Sequence, residues 1–156
     1  MISVFNICDD DVNDVAELSY MVGKLHDEKL PMFFNKTGKG EHLSIIESMI
    51  KDENAKILVA KIENKVVGFA CLCVQKKERK GYKVNKIGYI YNLGVDEKYR
   101  RKGVGKKLVE SAINYFRENG CEAVDLNVFW FNQEALKFYQ NLGFDILDVS
   151  LRKEVK

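Results

Sequence analysis

The sequence predicts an α/β or α+β domain with the element order β-α-α-β-β-β-α-β-α-β. Three observations carry this. Apolar residues switch between a period of two and a helical period several times along the chain. Two β-rich runs, "AKILVAKI" and "KVVGFACLCV", are joined through Glu63-Asn64-Lys65, which reads as a hairpin. Strands and helices then alternate, with Gly and Asn at the joints and one proline in 156 residues.

Residues 2–8 alternate and form a first strand, and Asp9 to Asp11 offer a cap and first-turn acidic charges for a helix. Val12, Val15, Leu18, Val22 and Leu25 recur at helical spacing over about 11–26. Pro31, Gly38 and Gly40 mark a loop, and Leu43, Ile46, Met49 and Ile50 define a second helix. After the hairpin, "QKKERKGYKVN" is a charged loop and "KIGYIYNLGV" a strand. Simple alternation there puts Ile87, Tyr89, Tyr91, Leu93 and Val95 on one face, and Gly88, Ile90, Asn92 and Gly94 on the other. Val104, Leu108, Ala112 and Phe116 form the buried stripe of the next helix, which Asn119-Gly120 stops. "AVDLNVF" is a strand, Asn132 caps a short helix, and "FDILDVSLRKEV" alternates as a closing strand.

Composition excludes several classes. There are 25 Lys and Arg against 23 Asp and Glu, a formal net charge of +2, so no global polyanion-binding character is expected. No apolar run is long enough for a membrane span, and the first residues lack a secretory n-region. The four cysteines form no C-x-x-C and have no histidine companions, as expected of reduced core thiols in a cytoplasmic protein. No metal set is expected. The whole chain, 1–156, reads as one domain without linkers or repeats.

The chemistry-bearing stretch is "YRRKGVGKKL", where Arg100, Arg101, Lys102, Lys106 and Lys107 flank Gly103 and Gly105. It lies between a strand and a helix. The first N–H groups of a helix lack internal partners and carry partial positive charge, so a phosphate fits there. It is not a Walker loop, and Leu108 stands where a dinucleotide fingerprint needs its third glycine. On these residues alone, a phosphate seat and a solvated helix start both remain open. A nucleic-acid contact through the same cations is the third reading, disfavoured because no broad basic face is visible.

Arg100-x-x-Gly103-x-Gly105 directly after "NLGV" resembles the acetyl-CoA motif of the GCN5-related N-acetyltransferases. Asn132, Ala135, Phe138, Tyr139, Gly143 and Phe144 resemble that superfamily's second block, N-x-x-A-x-x-F-Y-x-x-x-G-F. The likeness spans about residues 86–145. It implies a mixed, mostly antiparallel sheet flanked by helices, and transfer of an acetyl group from acetyl-CoA, as cosubstrate, to a primary amine without a metal. By this resemblance, the backbone of Leu93, Gly94 and Val95 pairs with pantetheine. The segment Arg100, Arg101, Lys102, Gly103, Val104, Gly105 and Lys106 holds the pyrophosphate. Asn132 contacts pantetheine or positions its helix, and Tyr139 protonates the departing thiolate. Many members carry a glutamate where Tyr91 stands here, so a side-chain base is not implied; His26, Phe33 and Tyr91 are the acceptor-side candidates. The acceptor is a small-molecule or protein amine. A homodimer and a non-catalytic coenzyme-binding role on the same fold are left open.

Overall fold

In the computed structural model, which describes residues 1–78 and 80–155, five strands form one sheet in the order β1-β2-β3-β4-β5. These are β1 (Ser3–Asn6), β2 (Ala55–Ile62), β3 (Lys65–Lys76), β4 (Lys86–Val95) and β5 (Ala123–Leu126). Neighbours pair antiparallel except β4 and β5, which are parallel. That exception follows from chain order, because β4 reaches β5 through a crossover helix. The charged loop after β3 contains Arg79, which lies outside the described residues.

Helices cover both faces. α1 (Val12–Lys29) and α2 (Lys39–Lys51) pack on one side, where Val15, Leu18 and Ile46 meet Ile57, Val59, Val66, Phe69 and Cys71. α3 (Val104–Glu118) packs on the other, where Val104, Leu108, Ala112 and Phe116 meet Leu58, Ala60, Val67, Ala70, Leu72 and Ile90. The stripe expected of this helix is the one it buries. α4 (Gln133–Asn141) follows β5.

Local chemistry explains the joints. The β2–β3 hairpin closes through two residues, Glu63 (φ 49°) and Asn64 (φ 64°), while Lys65 already pairs with Ile62. Two successive left-handed residues match the twist of the flanking strands. Gly120 (φ 70°) and Gly143 (φ 91°) end α3 and α4 in the left-handed region. Asp11 does not cap α1. Its carboxylate accepts from the Cys8 N–H at 3.2 Å and lies 2.6 Å from the Lys61 ammonium on β2.

Four expectations are corrected. First, β4 does not alternate simply. Ile90 pairs with Leu72 and Asn92 with Cys71, so Tyr91 is an extra residue in a β-bulge. Leu93 and Val95 consequently join the α3-side core with Ile90, and Gly94 faces α1. Second, no closing strand forms among the described residues: 145–155 have no regular structure, with Leu147 and Val149 each 79% exposed. Alternation signals a face to bury; it does not by itself form a ladder. Third, the cysteines are all free but not all core: Cys71 is buried, Cys8 exposed, Cys73 and Cys121 between. Fourth, Leu25 and Ile50 stay largely exposed, and His42 is the buried residue beside Ile46 on α2.

Candidate functional site

The Tyr91 bulge opens the sheet. β4 and β5 stay paired from Ile87–Ala123 to Ile90–Leu126 and no further. Beyond that vertex, Asn92 to Val95 continue against β3 while the chain after Leu126 turns into the loop ahead of α4. The β4 backbone groups that would face β5 are left in a slot between the two strands.

At one end of the slot lies the glycine-rich turn. A short 3-10 turn, Glu97–Tyr99, precedes it, capped by Asp96 accepting from the Lys98 N–H at 3.0 Å. Arg101 (φ 59°) and Gly103 (φ 86°) both adopt left-handed conformations, and α3 begins immediately after. Alternating left-handed residues turn successive N–H groups toward one concavity, the backbone form called a nest, and the helix dipole adds partial positive charge there. The first helical bond runs from the Lys107 N–H to the Gly103 carbonyl, which leaves the N–H groups ahead of it directed outward. The sequence points to the two glycines; the left-handed Arg101 carries no sequence signal. The two glycines serve differently. A Cβ on Gly103 would meet nothing within 4 Å, so its φ is the requirement. A Cβ on Gly105 would lie 3.2 Å from Phe138 Cζ, so its requirement is space under α4. The cations are peripheral: the Arg100 guanidinium donates to the Val95 carbonyl at 3.3 Å, and Arg101 lies 3.6 Å from Glu134 with both side chains exposed.

α4 lies against the start of α3, with Phe138 3.2 Å from a Cβ built on Gly105. Asn132 is its N-cap, accepting from the Ala135 N–H at 3.1 Å. Two turns later Tyr139 is buried, with the rings of Phe138 and Phe144 at 5.0 and 5.6 Å. Burial pushes its phenol up to about 12.

The other end is aromatic. Gly94 of β4 lies under α1, where a Cβ would come 2.8 Å from Val22 Cγ2. One turn beyond Val22 stands His26. Its ring meets Phe129 at 5.3 Å, Phe131 at 6.0 Å and Phe34 at 6.3 Å. Burial lowers the His26 pKa, and Asp27 opposes this without cancelling it. Phe129 and Phe131 come from the loop after β5, so this cluster bridges α1 to that loop across the slot mouth. Phe33 carries the Arg152 guanidinium at 4.3 Å, and Tyr91, 68% exposed, pairs edge-on with Tyr89. Sequence reasoning named His26 and Phe33 but not Phe34, Phe129 or Phe131. The "FWF" run before Asn132 was the available signal, but "AVDLNVF" read as one strand through Phe129, whereas β5 stops at Leu126 and leaves all three aromatics in the loop.

Comparison with known proteins follows this geometry. The family model described as acetyltransferase (GNAT) family matches residues 20–144. The chain is 29% identical over 153 residues to the uncharacterized N-acetyltransferase MJ1207 of Methanocaldococcus jannaschii, covering 94% of this chain and 62% of that protein. Over 62 residues it is 50% identical to N-alpha-acetyltransferase 30 of Xenopus laevis, covering 40% of this chain and 23% of that protein. The chain thus spans less than two thirds of the length of these relatives. Among solved structures, a tetramutant of BH1408 protein from Bacillus halodurans superposes with a TM-score of 0.90 at 23% identity, covering 98% of this chain and 99% of that one. AAC(6')-Iy in complex with a CoA-S-monomethyl-acetylneamine bisubstrate analog superposes with a TM-score of 0.82 at 15% identity, covering 100% and 99%. Sheet order, helix placement and the match over residues 20–144 agree: the chain belongs to the acetyltransferase (GNAT) family.

Proposed function

We propose that residues 1–156 act as one N-acetyltransferase domain that moves an acetyl group from acetyl-CoA to a primary amine. The observation that carries this reading is the alignment of three features along one slot. An anion nest stands at Arg101–Gly105, β4 backbone paired to β3 but without a β5 partner at Leu93–Val95, and an aromatic mouth at His26. A coenzyme with a pyrophosphate at one end and a thioester at the other fits that order. Backbone amides from Arg101 to Lys106 hold the pyrophosphate, with Arg100 fixing the turn. Leu93, Gly94 and Val95 pair with the pantetheine amides as an added strand. Asn132 spends its side-chain oxygen on capping α4 and acts chiefly by positioning that helix.

In the reaction, the neutral amine nitrogen attacks the thioester carbonyl, forming the C–N bond. The intermediate collapses by breaking C–S, and the nitrogen's proton leaves to water. We assign Tyr139 to the departing sulfur as its donor. Its phenol, pushed up to about 12, stays protonated at neutral pH. Against a thiolate of pKa about 8.5, complete transfer is uphill by about 3.5 units, or roughly 5 kcal/mol. Tyr139 therefore contributes as a hydrogen-bond donor to growing negative charge, with the final proton taken from solvent. His26, Phe33 and Tyr91 stand on the acceptor side, His26 as lining kept neutral by burial. The aminoglycoside complex among the structural neighbours and the N-alpha-acetyltransferase relatives mark two acceptor types to try.

The test has two arms. Calorimetry should show CoA binding that is severely weakened by Gly105→Glu, which drives bulk and negative charge between the nest and α4, and hardly changed by Lys106→Ala. A thiol-release assay then screens sisomicin, glucosamine 6-phosphate, a peptide amino terminus and 2-phenylethylamine. Unchanged CoA affinity in Gly105→Glu removes the nest from the reading. CoA binding without release for any amine favours a coenzyme-sensing role.

A further inference from the structure

We infer that His42 is a positioning residue for the acceptor side of the slot. Through a directed hydrogen-bond chain, Ser19–His42–Thr37–Asp27, it fixes the loop that carries Phe33 and Phe34. The inference rests on the acyltransfer reading for where the acceptor enters.

His42 is a polar residue at 8% exposure on the buried face of α2, beside Ile46. Its Nδ1 lies 2.8 Å from Ser19 Oγ on α1, itself 3% exposed, and its Nε2 lies 3.0 Å from Thr37 Oγ1. Thr37 gives Asp27 Oδ2 both its N–H, at 3.2 Å, and its hydroxyl proton, at 3.4 Å. Proton counting sets the direction. Asp27, as a carboxylate, can only accept, and we assign it the single Thr37 hydroxyl proton. The Thr37 oxygen then accepts from His42 Nε2–H. The other nitrogen of a neutral imidazole is an acceptor, so Ser19 donates to Nδ1. Among the described residues, every buried side-chain nitrogen and oxygen has a hydrogen-bond partner.

A second observation is independent of these bonds. Gly23 sits within α1, where glycine costs roughly 1 kcal/mol relative to alanine. A Cβ there would lie 2.7 Å from His42 Cε1 and 3.0 Å from Nε2. Its φ is not in the left-handed region, so room for the imidazole is what the glycine supplies. Ring contact from Tyr20, edge-on at 5.9 Å, holds the imidazole from another side.

What the chain holds is the acceptor-side loop. Leu30, buried, anchors its start, accepting from the Phe33 N–H at 3.0 Å and the Phe34 N–H at 3.2 Å. Thr37 anchors its end. Phe34, between them, meets both His26 and Phe129, and Asp27 adjoins His26 in sequence. Losing the Thr37 anchor frees the segment that closes the aromatic mouth and leaves the anion nest, on the other side of the sheet, untouched.

The test uses Thr37→Val, which keeps shape but breaks the chain, and Thr37→Ser, which keeps the hydroxyl. In the whole protein, amide exchange at 33–36 is expected to speed up about tenfold in Thr37→Val, with exchange at 107–116 unchanged and wild-type behaviour restored in Thr37→Ser. For the amine of highest turnover in the screen above, KM should rise about tenfold in Thr37→Val while CoA affinity stays within about twofold. Two-bond nitrogen–proton NMR should find His42 protonated at Nε2. Unchanged exchange at 33–36, an Nδ1–H tautomer, or a CoA affinity falling in step with the amine KM each overturns the proposal. The exchange and NMR measurements need no acceptor, so failure of this chain and failure of the acyltransfer reading register in different experiments.

Discussion

Tyr139 and Asp11 are both buried, yet their surroundings push them in opposite ways. Around Tyr139 are rings, and nothing compensates a phenolate, so the proton is held. If Tyr139 acts as proposed, Tyr139→Phe should keep CoA affinity within a few-fold and lower the maximal rate by about 10- to 10³-fold, the loss expected for one donor to a developing thiolate. Wild-type rates, with chemistry shown to limit turnover, would leave only a packing role. Around Asp11, burial alone would raise the pKa, but the Lys61 ammonium and the Cys8 donors outweigh it and the net shift is downward. A carboxylate with a depressed folded-state pKa stabilises above its unfolded value of about 3.9, and that contribution is lost as pH falls through the folded value. Asp11→Asn should therefore cost about 2–3 kcal/mol at neutral pH, with the difference from wild type shrinking below pH 4 in denaturant titrations. A constant difference down to pH 2 would show that shape, not charge, is what Asp11 supplies.

At the scale of elements, β4 carries two demands that its sequence meets in different places. Gly88 lies under α3, where a Cβ would come 2.2 Å from the Phe116 ring, itself 1% exposed. Gly88→Ala should destabilise by about 3 kcal/mol, at the upper end of overpacking costs, since a buried ring cannot move aside. A loss below about 1 kcal/mol by chemical denaturation would mean that α3 shifts freely over the sheet. Tyr91 meets the other demand as the unpaired residue of the bulge, which moves Leu93 and Val95 to the α3 face and ends the β4–β5 ladder at Ile90. Strand identity was legible from "KIGYIYNLGV". The bulge was not, because it arises from pairing against β3 and β5, and no residue within β4 encodes its partners' register. The alternation of "FDILDVSLRKEV" likewise forms no ladder, although β5 is an edge strand and Asp145 and Leu147 line a cavity with its Val124 and Asp125.

Across the whole molecule, two helical layers hold the sheet while the slot crosses one end of it. Binding energy at the nest and along β4 should therefore stabilise the entire fold: CoA at 100 times its Kd should add about 2.7 kcal/mol, a Tm rise of roughly 5–10 °C. No rise in wild type, or an equal rise in Gly105→Glu, would separate the ligand from the nest. Acid should act in two stages. His26 has a folded-state pKa below its unfolded value, so stability is full above about pH 6.5 and declines as pH falls below it; Asp11 adds its loss only below about pH 3.9. The His26→Phe variant should lose the first stage and keep the second.

Element types and order up to α4, the buried stripe of α3, the stop at Asn119-Gly120 and the Asn132 cap are all properties of short stretches, and the sequence by itself determined them. Periodicity and capping act over a few residues, so they can be read without knowing neighbours. The two glycines at the start of α3 and the block from Asn132 to Phe144 likewise announced the family that the match over 20–144 establishes. Tertiary structure decided the rest. It placed Phe34, Phe129 and Phe131 around His26, set Arg101 left-handed beside Gly103, and seated His42 over Gly23 between Ser19 and Thr37. Each of these joins residues distant in the chain or strains one backbone angle that only the surrounding fold can hold. Such contacts depend on how helices and strands settle against one another, and no local pattern carries that information.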